Sequence, residues 1–204
     1  MVETPIEPAA AILLAAGESR RMGSLKALLP WQGSTLLAHQ VSSLRQAGID
    51  PVVVVLGYEA DRLKPQVEGR EGVTWRVNPD YWQGKTTSIK AGLSALGNRY
   101  PSAILILNVD QPRSAETIAH LLQRHRGGGR SITIPRYQGK GGHPIIVDAA
   151  LLDELKSIDE ESLGVRAVVR RHQAATLQVE MDTPEVLWDL NTPEQYEAAI
   201  RGGS

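Results

Sequence analysis

Short aliphatic runs alternate along this chain with stretches in which apolar side chains recur every three or four positions. The runs at 11–15, 52–56, 73–77 and 103–107 predict buried strands, and the stretches between them predict crossover helices. Leu37, Val41 and Leu44 share one helical face, and Gly48 just beyond supplies a stop. Residues 87–96 and 114–125 behave similarly, the second placing Ile118, Leu121, Leu122 and His125 on one side. Such alternation is the signature of an α/β fold with a largely parallel sheet.

Beyond a loop expected at 126–130 the order changes. Residues 131–135 and 144–147 read as strands around the glycine-bearing stretch 139–142, which fits a hairpin or an antiparallel excursion. Residues 151–158 and 164–172 read as helices and 176–180 as a strand. Thr192, Pro193 and Gln195 have the spacing of a capping box that opens a last helix. No repeat, heptad run or low-complexity segment intervenes, so residues 1–204 are expected to form one domain.

The chain has no phenylalanine, so Leu, Ile, Val and Ala must fill the core, as suits a sheet flanked by helices. Lys and Arg number 22 against 23 Asp and Glu, a formal charge of -1 that gives no broad basic field. Binding to nucleic acid or to a membrane surface is therefore disfavoured. Absence of cysteine excludes disulfides, thiol nucleophiles and cysteine-ligated metals, and fits a reducing cytoplasm. The early apolar run at 9–16 is too short to span a bilayer and lacks a basic flank, so neither a signal peptide nor an anchor is expected.

Candidate chemistry begins where the first strand ends, the edge at which open α/β sheets bind ligands. There the chain reads Leu14-Ala15-Ala16-Gly17-Glu18-Ser19-Arg20-Arg21-Met22-Gly23-Ser24-Leu25-Lys26. Small residues let backbone N–H groups approach an anion, and Arg21 and Lys26 add positive charge, as a polyphosphate requires. A solvated turn with scattered cations would have the same composition. The spelling is neither a Walker A loop nor a dinucleotide fingerprint, and Ser19 lacks the glycines of a nucleophile elbow.

Asp110 stands just past the apolar run at 103–107, where its charge needs a cation, a donor or water. A magnesium-phosphate complex or the start of the next helix would satisfy it. Asp189 and Asn191, on alternate positions, offer a second pair of oxygen donors, although Asn191 also suits a turn before the last helix. His143 lies in a glycine loop before a strand. His39, His120, His125 and His172 fall in or beside helices and read as surface or core groups. Arg124, His125, Arg126 and Arg130 read as a helix end followed by a mobile loop, with no interleaved aromatics for base stacking.

Taken together, the segment 14–30 resembles the signature of the molybdenum cofactor nucleotidyltransferases. The resemblance continues through Asn78-Pro79-Asp80-Tyr81-Trp82-Gln83-Gly84-Lys85-Thr86-Thr87-Ser88, Asn108-Val109-Asp110-Gln111-Pro112, Gly142-His143-Pro144-Ile145 and Asp189-Leu190-Asn191-Thr192-Pro193-Glu194. It implies a three-layer α/β/α sandwich with a mostly parallel sheet, of the nucleotide-diphospho-sugar transferase type. The implied reaction joins a nucleotide to molybdopterin with Mg2+ and releases pyrophosphate. Ala15, Ala16, Gly17, Ser19 and Gly23 then match the nucleotide loop, Lys26 and Arg21 the cations on the triphosphate, and Gly84 and Ser88 nucleotide contacts. Asp110, with Asp189 and Asn191, matches the metal side, and His143 is implied as pocket lining. Leu14-Ala15-Ala16-Gly17 resembles the cytidylyltransferases, whereas guanylyltransferases more often carry Leu-Ala-Gly-Gly, which implies CTP over GTP. A client molybdoenzyme is an implied partner. A cofactor carrier without transfer activity, a transferase for another phosphate acceptor and an NAD(P)H-dependent oxidoreductase are the alternatives.

Overall fold

The computed structural model describes residues 8–19, 22–99 and 101–202. β1 (Ala10–Ala15) leads through a loop and a 3-10 turn at Lys26–Leu28 to a ribbon of β2 (Pro30–Trp31) and β3 (Ser34–Thr35). There follow α1 (Leu36–Gln46), β4 (Val52–Leu56), the short α2 (Ala60–Leu63), β5 (Val73–Val77) and α3 (Lys85–Ala95). Next come β6 (Ala103–Asn108), α4 (Ala115–Gly128), β7 (Ile132–Tyr137), β8 (Lys140–Gly141) and β9 (Ile145–Asp148). α5 (Leu152–Ser157), α6 (Val165–Arg171), β10 (Thr176–Glu180) and α7 (Pro193–Gly202) complete the chain.

The main sheet has the order β10-β7-β9-β6-β1-β4-β5, with β8 paired to β7. β5, β4, β1 and β6 are parallel, β9 runs antiparallel to both β6 and β7, and β10 is again parallel to β7. One inverted strand and the β7–β8 hairpin are thus the antiparallel excursion expected from the glycine-rich stretch.

Each central strand buries both faces. Ala11, Leu13 and Ala15 of β1 join Val52, Val54 and Leu56 of β4 beneath Leu37, Val41 and Leu44 of α1 and Ile118, Leu121 and Leu122 of α4. The alternate residues Ala10, Ile12, Leu14, Val53 and Val55 face Ile89 and Leu93 of α3, Leu155 of α5 and Val168 of α6. Side chains that point to opposite faces at successive positions therefore build two cores from one run. A third, smaller cluster docks α7 on the β2–β3 ribbon through Trp31, Leu36, Leu190 and Ala199. The three-layer α/β/α arrangement is the one expected.

Three local expectations need correction. β5 is not a buried strand but the sheet edge, and its Thr74 and Arg76 are exposed. α3 begins at Lys85 rather than 87, with Gly84 in the capping position. α4 runs on through Gly128 where a loop was expected from 126, and it stops at Gly129 in the left-handed region (φ +56°). Tertiary packing decides this end: a Cβ on Gly128 would meet Leu177 Cδ2 at 2.7 Å, so the glycine lets the helix lie against β10. At α7 the capping box forms as spelled, with Gln195 N donating to Thr192 Oγ1 (3.4 Å) and Thr192 N to Gln195 Oε1 (3.1 Å).

Candidate active site

A cleft of about 460 Å3 opens at the carboxyl ends of β1 and β6. Sheet order diverges there: β4 and β5 lie to one side of β1, and β6 with everything after it to the other. This is the switch point at which open α/β sheets leave a crevice.

Lys26 occupies the centre of the polar floor. The loop delivers it from a 3-10 turn, and its backbone N–H donates to Ser19 Oγ at 3.2 Å, so the Ser19 hydroxyl closes the loop. The Lys26 side chain is 10% exposed, and its Nζ donates to Asp110 Oδ2 at 2.7 Å and to Asn191 Oδ1 at 2.8 Å. Asp110 does not cap the following helix, because Ser114 does so, its Oγ accepting from Thr117 N at 3.2 Å. Leu190 N donates to the Asp110 carbonyl at 2.8 Å, which ties the segment of Asp189 and Asn191 to the tip of β6.

Burial, and then the negative charge of Asp110, push the Asp189 carboxyl above its ordinary range, while Lys26 and Lys85 pull it down. Two carboxylates whose charges oppose each other, with a carboxamide oxygen beside them, form a donor set for a hard cation. The Lys26 ammonium already stands between Asp110 and Asn191 as a cation would. The chemistry of this donor set fits a divalent cation, which the oxygens of Asp110, Asp189 and Asn191 could hold. No larger group of His, Cys, Asp and Glu converges among the described residues, and Mg2+ commonly needs only one or two carboxylates beside phosphate and water.

Ala15, Ala16, Gly17, Ser19, Lys26, Gly84, Ser88, Asp110, Asp189 and Asn191 all line this cleft. Gly23 does not, and neither does His143. Arg21 lies outside the described residues. His143 has its backbone engaged, its N–H donating to Val186 O (2.9 Å) and its carbonyl accepting from Arg113 Nε (2.8 Å). Burial, then the positive charges of Arg113, Lys85 and Arg166, lower its pKa from 6.5 to about 4. The imidazole is neutral at pH 7. Between pH 6.5 and about 4 the unfolded chain takes up a proton that folded His143 refuses, so stability is expected to fall as pH drops through that window. Thermal melts of His143→Gln should show a flatter dependence over the same range.

Several contributors were not among the expected site residues, although Asn78, Tyr81 and Lys85 lie in the segment that carries the resemblance. Gln40, buried on α1, donates to Gln111 O (2.6 Å) and Asn108 O (3.3 Å) and accepts from Arg113 N (3.2 Å), fixing the loop that carries Asp110. Its place on the face of Leu37, Val41 and Leu44 is the one signal that could have exposed it. Arg113, 1% exposed, donates to the carbonyls of Pro112 (2.7 Å), His143 (2.8 Å), Val186 (2.9 Å) and Trp188 (3.2 Å). It thereby joins the three loops behind the floor. Asn78 Nδ2 donates to Thr87 Oγ1 (2.9 Å) and Ser88 Oγ (3.0 Å), which positions Ser88. Tyr81 and Lys85 line the cleft directly. At Gly57, after β4, a Cβ would lie 2.7 Å from Ala16 O and 2.8 Å from Tyr81 Cγ, so only glycine lets this wall approach the loop.

Residues 11–176 match the model of the MobA-like NTP transferase domain. The chain is 28% identical over 189 residues to the molybdenum cofactor cytidylyltransferase of Escherichia coli (strain K12), covering 92% of this chain and 93% of that protein. It is 31% identical over 203 residues to the nicotine blue oxidoreductase of Paenarthrobacter nicotinovorans, covering 96% and 98%. Among solved structures, Rv0371c from Mycobacterium tuberculosis H37Rv superposes with a TM-score of 0.78 at 25% identity, covering 96% of this chain and 99% of that one. The same mycobacterial protein is also known in complex with manganese, with a TM-score of 0.74 at 23% identity over 95% and 98% of the two chains. A polar cleft at a sheet switch point, read together with these likenesses, leads to one conclusion: the chain belongs to the MobA-like NTP transferase family and is a nucleotidyltransferase.

Proposed function

We propose that this enzyme transfers CMP from CTP to the terminal phosphate of molybdopterin in the cytoplasm, with Mg2+ and with release of pyrophosphate, and that the product passes to a client molybdoenzyme. The observation that carries the reading is the Lys26 ammonium bridging Asp110 and Asn191 on the floor of the cleft. When bound, Mg2+ would neutralise phosphate charge beside Asp110, Asp189 and Asn191.

The chain's own residues supply the rest. Backbone N–H groups of the loop around Ala16 and Gly17 face the phosphates, and Lys26 offers its charge to the pyrophosphate that departs. An oxygen of the acceptor phosphate bonds to the α-phosphorus as the bond to the β-phosphate oxygen breaks, in line. The acceptor phosphate has a second pKa of about 6 and attacks as the dianion, so no general base is needed. In keeping with this, no histidine is among the residues that line the cleft.

CTP rests on the loop spelling Leu14-Ala15-Ala16-Gly17, and a single methyl at Ala16 contributes roughly 1–3 kcal/mol of discrimination. Thermal melts with CTP, GTP, ATP and UTP, each with Mg2+, are expected to show the largest rise with CTP. At a hundredfold excess over Kd the gain is about 2.7 kcal/mol, or roughly 5–10 °C for a chain of this size. A larger rise with GTP would reassign the donor. The full-length likeness to nicotine blue oxidoreductase favours a second reading, reduction by a nicotinamide nucleotide. Loss of nicotinamide absorbance without pyrophosphate release would establish that reading instead, and retention of molybdopterin with neither signal would indicate a carrier.

A further inference from the structure

A second cavity, of about 470 Å3, lies at the opposite end of the sheet and is lined by Ser102, His125, Arg126, Arg130, Ser131 and Asp148. Its volume falls within the range of small-molecule pockets, roughly 300–1000 Å3. Ser102 precedes β6 and Asp110 follows it, so a six-residue strand, about 20 Å of extended chain, separates the two sites. From these residues we infer that the cavity binds a small hydroxylated phosphate monoester, distinct from the substrates of the cleft.

The best-fixed group is His125. It is 7% exposed, and its Nδ1 shares a hydrogen bond of 2.9 Å with Thr133 Oγ1, itself fully buried on β7. The other ring nitrogen has no hydrogen-bond partner among the described residues and is not sealed from solvent. A buried imidazole held by one nitrogen, with the other left over in a ring that lines a cavity, is an oriented polar group without a second partner among the described residues.

Two arginines line the same cavity. Arg126 belongs to the last turn of α4, where a helix end alone would account for a cation. Arg130 lies beyond the left-handed Gly129, and its Nη1 is braced on Ala174 O at 2.9 Å. Two arginines and an imidazole among the lining residues supply several N–H donors, which match the several oxygens of a tetrahedral phosphate better than the flat pair of a carboxylate. The Ser102 and Ser131 hydroxyls extend the polar lining.

Asp148 shapes the rest of the ligand. Its Oδ1 accepts from Ala150 N at 2.7 Å, which fixes the carboxylate on the cavity wall. A bare polyanion is repelled there, whereas a hydroxyl on the organic part of a monoester donates to the same group. Net charge from the two arginines and this aspartate is positive by one, which suits a singly esterified phosphate over a triphosphate.

Titration calorimetry of the full chain with glycerol 3-phosphate tests the assignment. Wild type and Lys26→Ala should both show one saturable site in the millimolar range or tighter. Arg126→Gln should weaken it about tenfold or more, while the CTP-dependent thermal shift stays unchanged. Arg130→Gln is a second variant with the same expected loss, should the first fail to fold. Binding that disappears in Lys26→Ala, persists in both arginine variants, or never saturates would overturn the inference.

Discussion

Lys26→Ala and Asp110→Ala are each expected to lower pyrophosphate release about a hundred- to a thousandfold while far-ultraviolet circular dichroism stays that of the wild type. The ammonium touches both Asp110 and Asn191, and it is the nearest described formal cation to that pair of oxygens. Without it the departing pyrophosphate loses a fixed positive charge. Without Asp110 the ammonium loses its counter-charge and the floor its central oxygen donor. Asp110→Asn separates charge from shape, because it keeps a carbonyl oxygen for Lys26 and should be nearly as inactive as Asp110→Ala. Turnover within a few-fold of wild type in Lys26→Ala would remove the cleft floor from the mechanism.

Arg113→Met is expected to lose stability rather than a reacting group. Four loop carbonyls accept from this guanidinium, those of Pro112, His143, Val186 and Trp188, and of these Val186 O also keeps the His143 N–H. Each buried acceptor left bare costs about 1–3 kcal/mol, less than additively, so a loss of about 4 kcal/mol is expected. For a chain of this length that is a fall in Tm of roughly 8–16 °C. Burial lowers the Arg113 pKa to about 9, against the opposing pull of Glu185, Asp189 and Asp110, so the group keeps its charge at pH 7. Arg113→Lys retains the charge but cannot reach four carbonyls from one nitrogen, and it should recover only part of the loss. A Tm change under about 2 °C in Arg113→Met would show that the loops hold themselves.

The elements that local pattern revealed best are those whose environment is uniform. β1, β4 and β6 are buried on both faces, so their aliphatic runs are unbroken and readable. β5, by contrast, reads Val-Thr-Trp-Arg-Val, and its exposed Thr74 and Arg76 alternate with half-buried neighbours as suits the edge where strand order places it. Gly127 and Gly128 spelled a loop because glycine is a poor helix former, yet α4 includes both, and at Gly128 a Cβ would meet Leu177.

Within the cleft, Lys26 was singled out by its charge in the loop after the first strand, Asp110 by its place past an apolar run, and Asp189 and Asn191 by their alternate spacing. That Lys26 bonds to residues 84 and 165 positions away was not legible, because no local rule relates segments so distant. His143 is not among the residues that line the cleft, and its backbone is held by Arg113 and Val186.

The sequence by itself determined the alternation of strand and helix, the capping box that starts α7, and the loop chemistry at the end of β1, since each depends on neighbours within a few residues. Only the tertiary structure decided which strand is inverted, where α4 ends, and that Gln40 and Arg113 hold the floor in place. Those outcomes follow from burial and from hydrogen bonds between remote segments, whose free energy exists only once the layers have closed.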